Sequence, residues 1–292
     1  MIQATHLSAD RLVVTDGRRQ YRVHRPWARL RNGREFGRIS QIAVARDGRV
    51  VVVQRDAPAV LLFAPDGELD NTWHHRKLDS VHGVAAAPDG SLLVTSFDLH
   101  QVLRFDLDGH VLQELGTESG PRWGEPFNHP TDVAVDPRNG DLVVSDGYGN
   151  ARLHRFDREG RLLHSWGEPG SDVGQFACPH GVWVMHDGRV VAVDRDNDRL
   201  QIFASDGTFI EQWRGLCRPM DIWSDGETIF VSDQTPSIVA LDTAGRVVGR
   251  ARAFSVYPHG LWGDAGGNIF VAEQLPSGVA KYEVKAAANN LV

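Results

Sequence analysis

The feature that most constrains this chain is that it repeats itself. VHGVAAAPDGSLLVTSFDLHQVLRFDLDGHVLQEL at 81–115, PTDVAVDPRNGDLVVSDGYGNARLHRFDREGRLLHSW at 130–166 and PHGVWVMHDGRVVAVDRDNDRLQIFASDGTFIEQW at 179–213 share one pattern. Each opens with a short apolar alternation and makes an Asp-Gly or Asn-Gly turn. A β-branched run such as LVVSD or VVAVD follows, then a polar loop, a third strand ending in Phe, a second turn, and a fourth strand ending near Trp. Asp-Gly and Asn-Gly supply the positive φ that tight hairpins need. No segment sustains a helical period. Units of this length with four short strands predict an all-β propeller rather than a sandwich.

First strands are expected from Ile39, Val81, Pro130, Pro179, Pro219 and Pro258, which makes six four-stranded blades and one domain over 1–292. The last unit has only three strands of its own. YRVHRPWARLRNGREFGRIS resembles the end of an earlier unit, LLHSWGEPGSDVGQFACPHG. Residues about 20–28 are therefore expected to be the outer strand of blade six, closing the ring and removing its open seam. Residues 1–19 add a strand or pack beneath the ring, and the tail 286–292 should fray.

Hydrophobic content of 41% and charged content of 24% describe an ordinary globular chain. A net charge of -7 without a basic cluster argues against nucleic acid. The locally basic stretch 18–34 reads as a solvated strand face. There is no apolar run long enough for a membrane span, and no signal peptide is expected. Two cysteines, Cys178 and Cys217, make no disulfide framework and fit a reducing, cytoplasmic setting.

Aligning the six first strands just before the apolar alternation brings Ser40, His82, Thr131, His180, Met220 and His259 to one position. Histidine stands on every second blade. In a six-fold ring, alternate blades are about 120° apart, so three imidazoles at one depth would meet on the axis. Three histidines with open positions are the ligand set of a catalytic metal, zinc foremost. The other ten histidines, among them His74, His75 and His164, read as surface or turn residues.

The loop after each second strand should rim the same face. These loops carry Arg55, Asp98, Tyr148, Arg195, Gln234 and Gln274. Arg55 and Arg195 occupy one loop position on opposite blades and suit a substrate carboxylate. Alternatively, Arg55 pairs with Asp56, and Arg195 with Asp194, Asp196 or Asp198. Tyr148 is either a packed loop aromatic or a general base whose phenol loses its proton more easily beside a dication and two arginines.

These stretches, with HPTDVAVDPRNGDLVVSDGYGNARLHRF, SWGEPGSDVGQFACPHGVWV, VDRDNDRLQIF and YPHGLWGDAGGNIFVAE, resemble the catalytic core of peptidyl-α-hydroxyglycine α-amidating lyase, an NHL-repeat propeller, over most of 36–283. The resemblance implies zinc ligands at His82, His180 and His259, a catalytic tyrosine at Tyr148, and carboxylate-binding arginines at Arg55 and Arg195. It also implies a structural calcium held by backbone carbonyls, which would fall at Ile42, Val84 and Gly260. One departure is Gly149, where the family carries a disulfide cysteine. The copper monooxygenase often linked to that family is not expected here, so the substrate need not be a peptide.

The activity so implied is C–N cleavage of a carbinol bearing a carboxylate, N–CH(OH)–COO⁻, to an amide or amine and an α-keto acid or aldehyde. A metal-dependent hydrolase or hydratase needs the same open site and stays an alternative. So does a non-enzymatic NHL module binding a partner. Lactonase-type calcium propellers use carboxylate and amide ligands, and histidines suit calcium poorly.

Overall fold

A computed structural model describes residues 13–118 and 120–285. The tail 286–292 and most of 1–19 therefore lie outside the described residues. The chain is a six-bladed β-propeller, each blade an antiparallel meander. Blade one is Ile39–Val44, Val50–Gln54, Val60–Phe63 and Leu69–Trp73. Blade two is Val81–Ala86, Leu92–Ser96, Gln101–Phe105 and Val111–Gly116, and blade three is Asp132–Val135, Leu142–Asp146, Arg152–Phe156 and Leu162–Trp166. Blade four is Pro179–Val184, Val190–Asp194, Arg199–Phe203 and Phe209–Trp213, and blade five is Asp221–Ser224, Thr228–Asp233, Ser237–Asp242 and Val247–Arg252. Helical structure among the described residues is limited to short 3-10 turns such as Arg195–Asn197.

Blade six combines the two ends of the chain. Pro258–Gly263, Ile269–Gln274 and Ser277–Val284 are completed by Gln20–His24, which pairs Tyr21 with Val284 and His24 with Lys281. Val13–Thr15 adds a fifth strand outside it. The regular strand ends at His24, short of position 28: Pro26 has no N–H to donate, and Trp27 N–H bonds the Val279 carbonyl of the same neighbouring strand at 2.9 Å.

The burial pattern explains why these segments form strands. Inner strands such as VVVVQ and VVAVD are buried along their whole length. Neighbouring blades cover both their faces, so β-branched runs replace alternation. The outer strand LDNTW alternates between half-buried and exposed, as a strand with one wet face must. Six apolar clusters result, one at each interface between neighbouring blades. At the Asp-Gly turns, Gly90 and Gly188 have φ of 91° and 89°, conformations a side chain would oppose.

First strands lie against one another around the whole ring. The ladders of blades three and five begin at Asp132 and Asp221, two residues beyond Pro130 and Pro219. Below the level of the histidines, Ala43, Ala85 and Ala134 of blades one to three match Trp183, Trp223 and Trp262 of blades four to six. Trp183 and Trp262 meet edge to face at 5.3 Å, narrowing the channel at that end.

Candidate metal centre

His82, His180 and His259 converge on the axis. Their ring centroids are 4.9, 5.0 and 4.9 Å apart, and one ligand nitrogen from each lies within 4.8 Å of the others. All three are buried. Each sits where the pairing register of its first strand slips, between Val81 and Val84, Pro179 and Gly181, and Pro258 and Gly260. Such a bulge frees a residue from the ladder and re-aims its side chain.

Each histidine is then oriented by the next blade. The Nδ1–H of His82 donates to the Thr131 carbonyl and that of His180 to the Met220 carbonyl, both at 2.7 Å; that of His259 donates to the Ser40 carbonyl. Thr131, Met220 and Ser40 are the residues aligned with the histidines on the other three blades. A carbonyl can only accept, so these bonds place the proton on Nδ1 and leave each Nε2 with a free lone pair. Burial, joined by the His259 imidazole and the Arg55 guanidinium, pushes the pKa of His82 well down; His180 is lowered in the same way by burial and the other two rings. Burial and Arg55 bring His259 to about 3. Neutral imidazoles with a fixed tautomer, backed by backbone carbonyls, could hold a metal ion.

Tyr148 closes this cluster from above. Its hydroxyl lies 2.8 Å from His82 Nε2 and 3.1 Å from His180 Nε2. A single phenolic proton cannot serve two acceptors, so the cluster holds more lone pairs than protons, and a cation resolves that mismatch. Burial raises the Tyr148 pKa even though Arg195 and Arg55 both pull it down. Among the protein's own groups, desolvation therefore outweighs the two guanidiniums.

Arg195 lies over the Tyr148 ring at 5.8 Å and forks onto Asp196, with both contacts at 3.1 Å. The pairing with Asp196 raises its pKa in spite of burial. Arg55 does not pair with Asp56. Its Nε donates to Ser40 Oγ at 3.1 Å and its guanidinium covers the Phe97 ring at 5.1 Å. Desolvation lowers its pKa. The fields of both arginines reach all or part of the triad, so rim and axis form one site.

Buried polar anchors aim these loops. Gln54, directly before Arg55, accepts Gly37 N–H and donates to the Pro58 carbonyl. Asp194, directly before Arg195, accepts Ala177 N–H and holds Arg199 at 2.8 Å. Asp146, at the start of the Tyr148 loop, accepts Asn128 N–H and Asn150 Nδ2. Gly149 is packed against Asn128; a Cβ there would lie 2.2 Å from Asn128 Oδ1, which leaves no room for the family's cysteine. Of the remaining rim residues, Gln234 contacts Met220 Sδ and Asp98 lies 3.8 Å from His129. Of the histidines read as surface or turn residues, His154 is instead a buried strand residue, while His100 lies in a turn and is buried there. His154 bridges Asp146 and Ser165 inside blade three, and His100 stacks edge to face on His129.

One layer below the triad on the first strands lie Gln41, Asp132, Asp221 and Gly260, while Ile42 and Val84 lie one residue beyond that layer. The polar side chains of that layer come from Gln41, Asp132 and Asp221. Asp132 accepts Val182 N–H at 3.0 Å, Asp221 accepts Leu261 N–H at 2.7 Å, and Gly260 leaves room for Gln41 Oε1. Burial raises the pKa of both carboxyls, Asp132 further because Asp221 is near, and that of Asp221 to about 7. Clustered carboxylate and carboxamide oxygens are the donors a hard cation takes.

A profile of the NHL repeat matches residues 127–156. Peptidyl-alpha-hydroxyglycine alpha-amidating lyase 1 of Drosophila melanogaster is 33% identical over 172 residues, 54% of this chain and 32% of that protein. This chain thus spans about a third of that relative's own length. NHL repeat-containing protein 3 of Homo sapiens is 30% identical over 267 residues, 81% of this chain and 76% of that protein. Among solved structures, that of streptogramin B lyase superposes with a TM-score of 0.67 at 12% identity, covering 91% of this chain and 98% of that one. At that identity the likeness concerns the fold alone.

Proposed function

Since this chain belongs to the NHL-repeat family of six-bladed propellers, with NHL repeat-containing protein 3 and the peptidyl-α-hydroxyglycine α-amidating lyases among its relatives, we propose that it is a metal-dependent lyase acting on a carbinol that carries a carboxylate. The observation that carries this reading is the Tyr148 hydroxyl set against two of three lone-pair Nε2 atoms.

His82, His180 and His259 would hold zinc or another transition metal, which when bound supplies Lewis acidity toward the substrate hydroxyl. Arg55 and Arg195 bind the carboxylate and orient the C–N bond. Tyr148 as its phenolate, the form that a bound dication would favour, takes the hydroxyl proton. The freed electron pair forms the carbonyl, the C–N pair leaves with nitrogen, and the nitrogen recovers the proton from Tyr148. An N-acyl-α-hydroxyglycine would give an amide and glyoxylate. A structural calcium on the axis is part of the same reading; Ile42, Val84 and Gly260 would offer carbonyls, and Asp132 and Asp221 supply charge beside them. Two free thiols support a reducing, cytoplasmic setting.

The test is Tyr148→Phe assayed with an N-acyl-α-hydroxyglycine. We expect kcat to fall by about 10²–10⁴ with metal content unchanged, and loss of the metal when any one of the three histidines becomes alanine. Full activity in Y148F ends this assignment. One observation favours a second reading, a non-enzymatic module: the relative matched over 81% of the chain has a name that states no activity. Elemental analysis separates the two, since the module requires no transition metal and the lyase requires about one per chain.

A further inference from the structure

The two rims of the site differ in charge compensation. On blade four, Arg195 is neutralised in place: Asp196 takes both its nitrogens and also Arg218 at 2.9 Å, while Arg218 N–H donates to Asp198 at 2.7 Å. On blade one no such network forms. Asp56, the acid next to Arg55, spends its carboxylate on the backbone N–H of Arg38 at 3.0 Å and packs against Gly37. Arg38 in turn offers its carbonyl to Arg55 N–H at 2.9 Å. The two residues are thus bound backbone to backbone, and their guanidiniums are near enough for the charge of Arg38 to disfavour that of Arg55. Neither side chain has a carboxylate partner within salt-bridge distance among the described residues. Asp98 is the acid whose field reaches Arg55, and it stands 3.8 Å from His129 instead.

Two arginines on opposed backbone positions, neither paired with a carboxylate among the described residues, one half-buried against Phe97 and one exposed, make a good arrangement for an anion. We propose that Arg38 is a specificity-determining residue of this site, forming with Arg55 the subsite for the substrate carboxylate. Arg195, already paired with Asp196, adds its charge from the opposite blade. The subsite deepens the lyase reading by naming where the carboxylate sits, and it selects the free acid over a neutral amide of the same molecule.

The test uses non-reacting probes, so it does not depend on turnover. N-benzoylglycine and its neutral amide are titrated calorimetrically into the protein as purified, into Arg38→Gln, and into Arg34→Gln, an exposed control on the same segment. R38Q should weaken the acid by about tenfold, leave the amide unchanged and flatten the salt dependence, while R34Q matches wild type. Equal binding of the acid by R38Q and wild type overturns the subsite. So does equal weakening of acid and amide, or wild type that binds neither. A chain that binds the acid through Arg38 but leaves N-acyl-α-hydroxyglycine uncleaved keeps the subsite and loses only the lyase reading.

Discussion

Individual side chains in this protein are decided by what their neighbours leave unpaired. The same acid-next-to-arginine pattern has opposite outcomes at Arg55 and Arg195, because Asp56 is claimed by a backbone N–H and Asp196 is not. Away from the site, Asp136 shows the paired case in full. Burial alone would raise its pKa, yet Arg138 at 2.8 Å and Arg155 at 2.7 Å hold it at about 2. A carboxyl depressed in the folded state stabilises the fold above its ordinary pKa and loses that contribution as pH falls through the folded value. Between about pH 4 and pH 2 the protein should therefore lose stability through this residue. Asp136→Asn should be less stable at pH 7 by on the order of 2–3 kcal/mol, and its melting temperature should drop less than that of wild type between pH 7 and pH 2.5. Parallel pH curves for the two proteins would refute the assignment.

Among the elements, the first strands carry the site and the closing strands hold the ring. Each histidine depends on a bulge at the start of its strand and on a carbonyl from the next blade, so three blades present ligands and three set their tautomers. Closure depends on Gln20–His24 and on the strand outside it, which runs past blade five. There a Cβ added at Gly249 would lie 1.1 Å from the carbonyl oxygen of Asp16. Gly249→Ala therefore cannot coexist with the present path of that segment, at a cost of about 1–3 kcal/mol. Hydrogen exchange should report faster amides at Val14–Asp16 with protection at the axial strands kept. Unchanged exchange at Val14 and Thr15 would show that the outer strand does not rest on this contact.

For the whole molecule, a metal bound by blades two, four and six would tie alternate blades across the axis and so belong to its stability. Removing it with a chelator should lower the melting temperature, and added zinc should restore it; a ligand at a thousandfold excess over its Kd stabilises by about 4 kcal/mol. A melting temperature indifferent to chelator and to zinc would leave the triad without a metal. The repeat, the turns and the missing fourth strand of the last unit determined the ring and its closure from sequence alone. That is possible because hairpin turns and buried β-branched runs are local signals repeated six times. The alternation of His82, His180 and His259 followed by symmetry, and Arg55, Tyr148 and Arg195 by their place after each second strand. Three things were decided only by the tertiary structure. The bulges and the carbonyls of Ser40, Thr131 and Met220 orient the imidazoles through backbone, which carries no residue-specific signature. His154 and His100 are buried because loop anchors need polar partners inside a blade. That Arg38 and Arg55 have no carboxylate partner among the described residues depends on which way Asp56 turns, and that direction exists only once loops from different parts of the chain have been packed together.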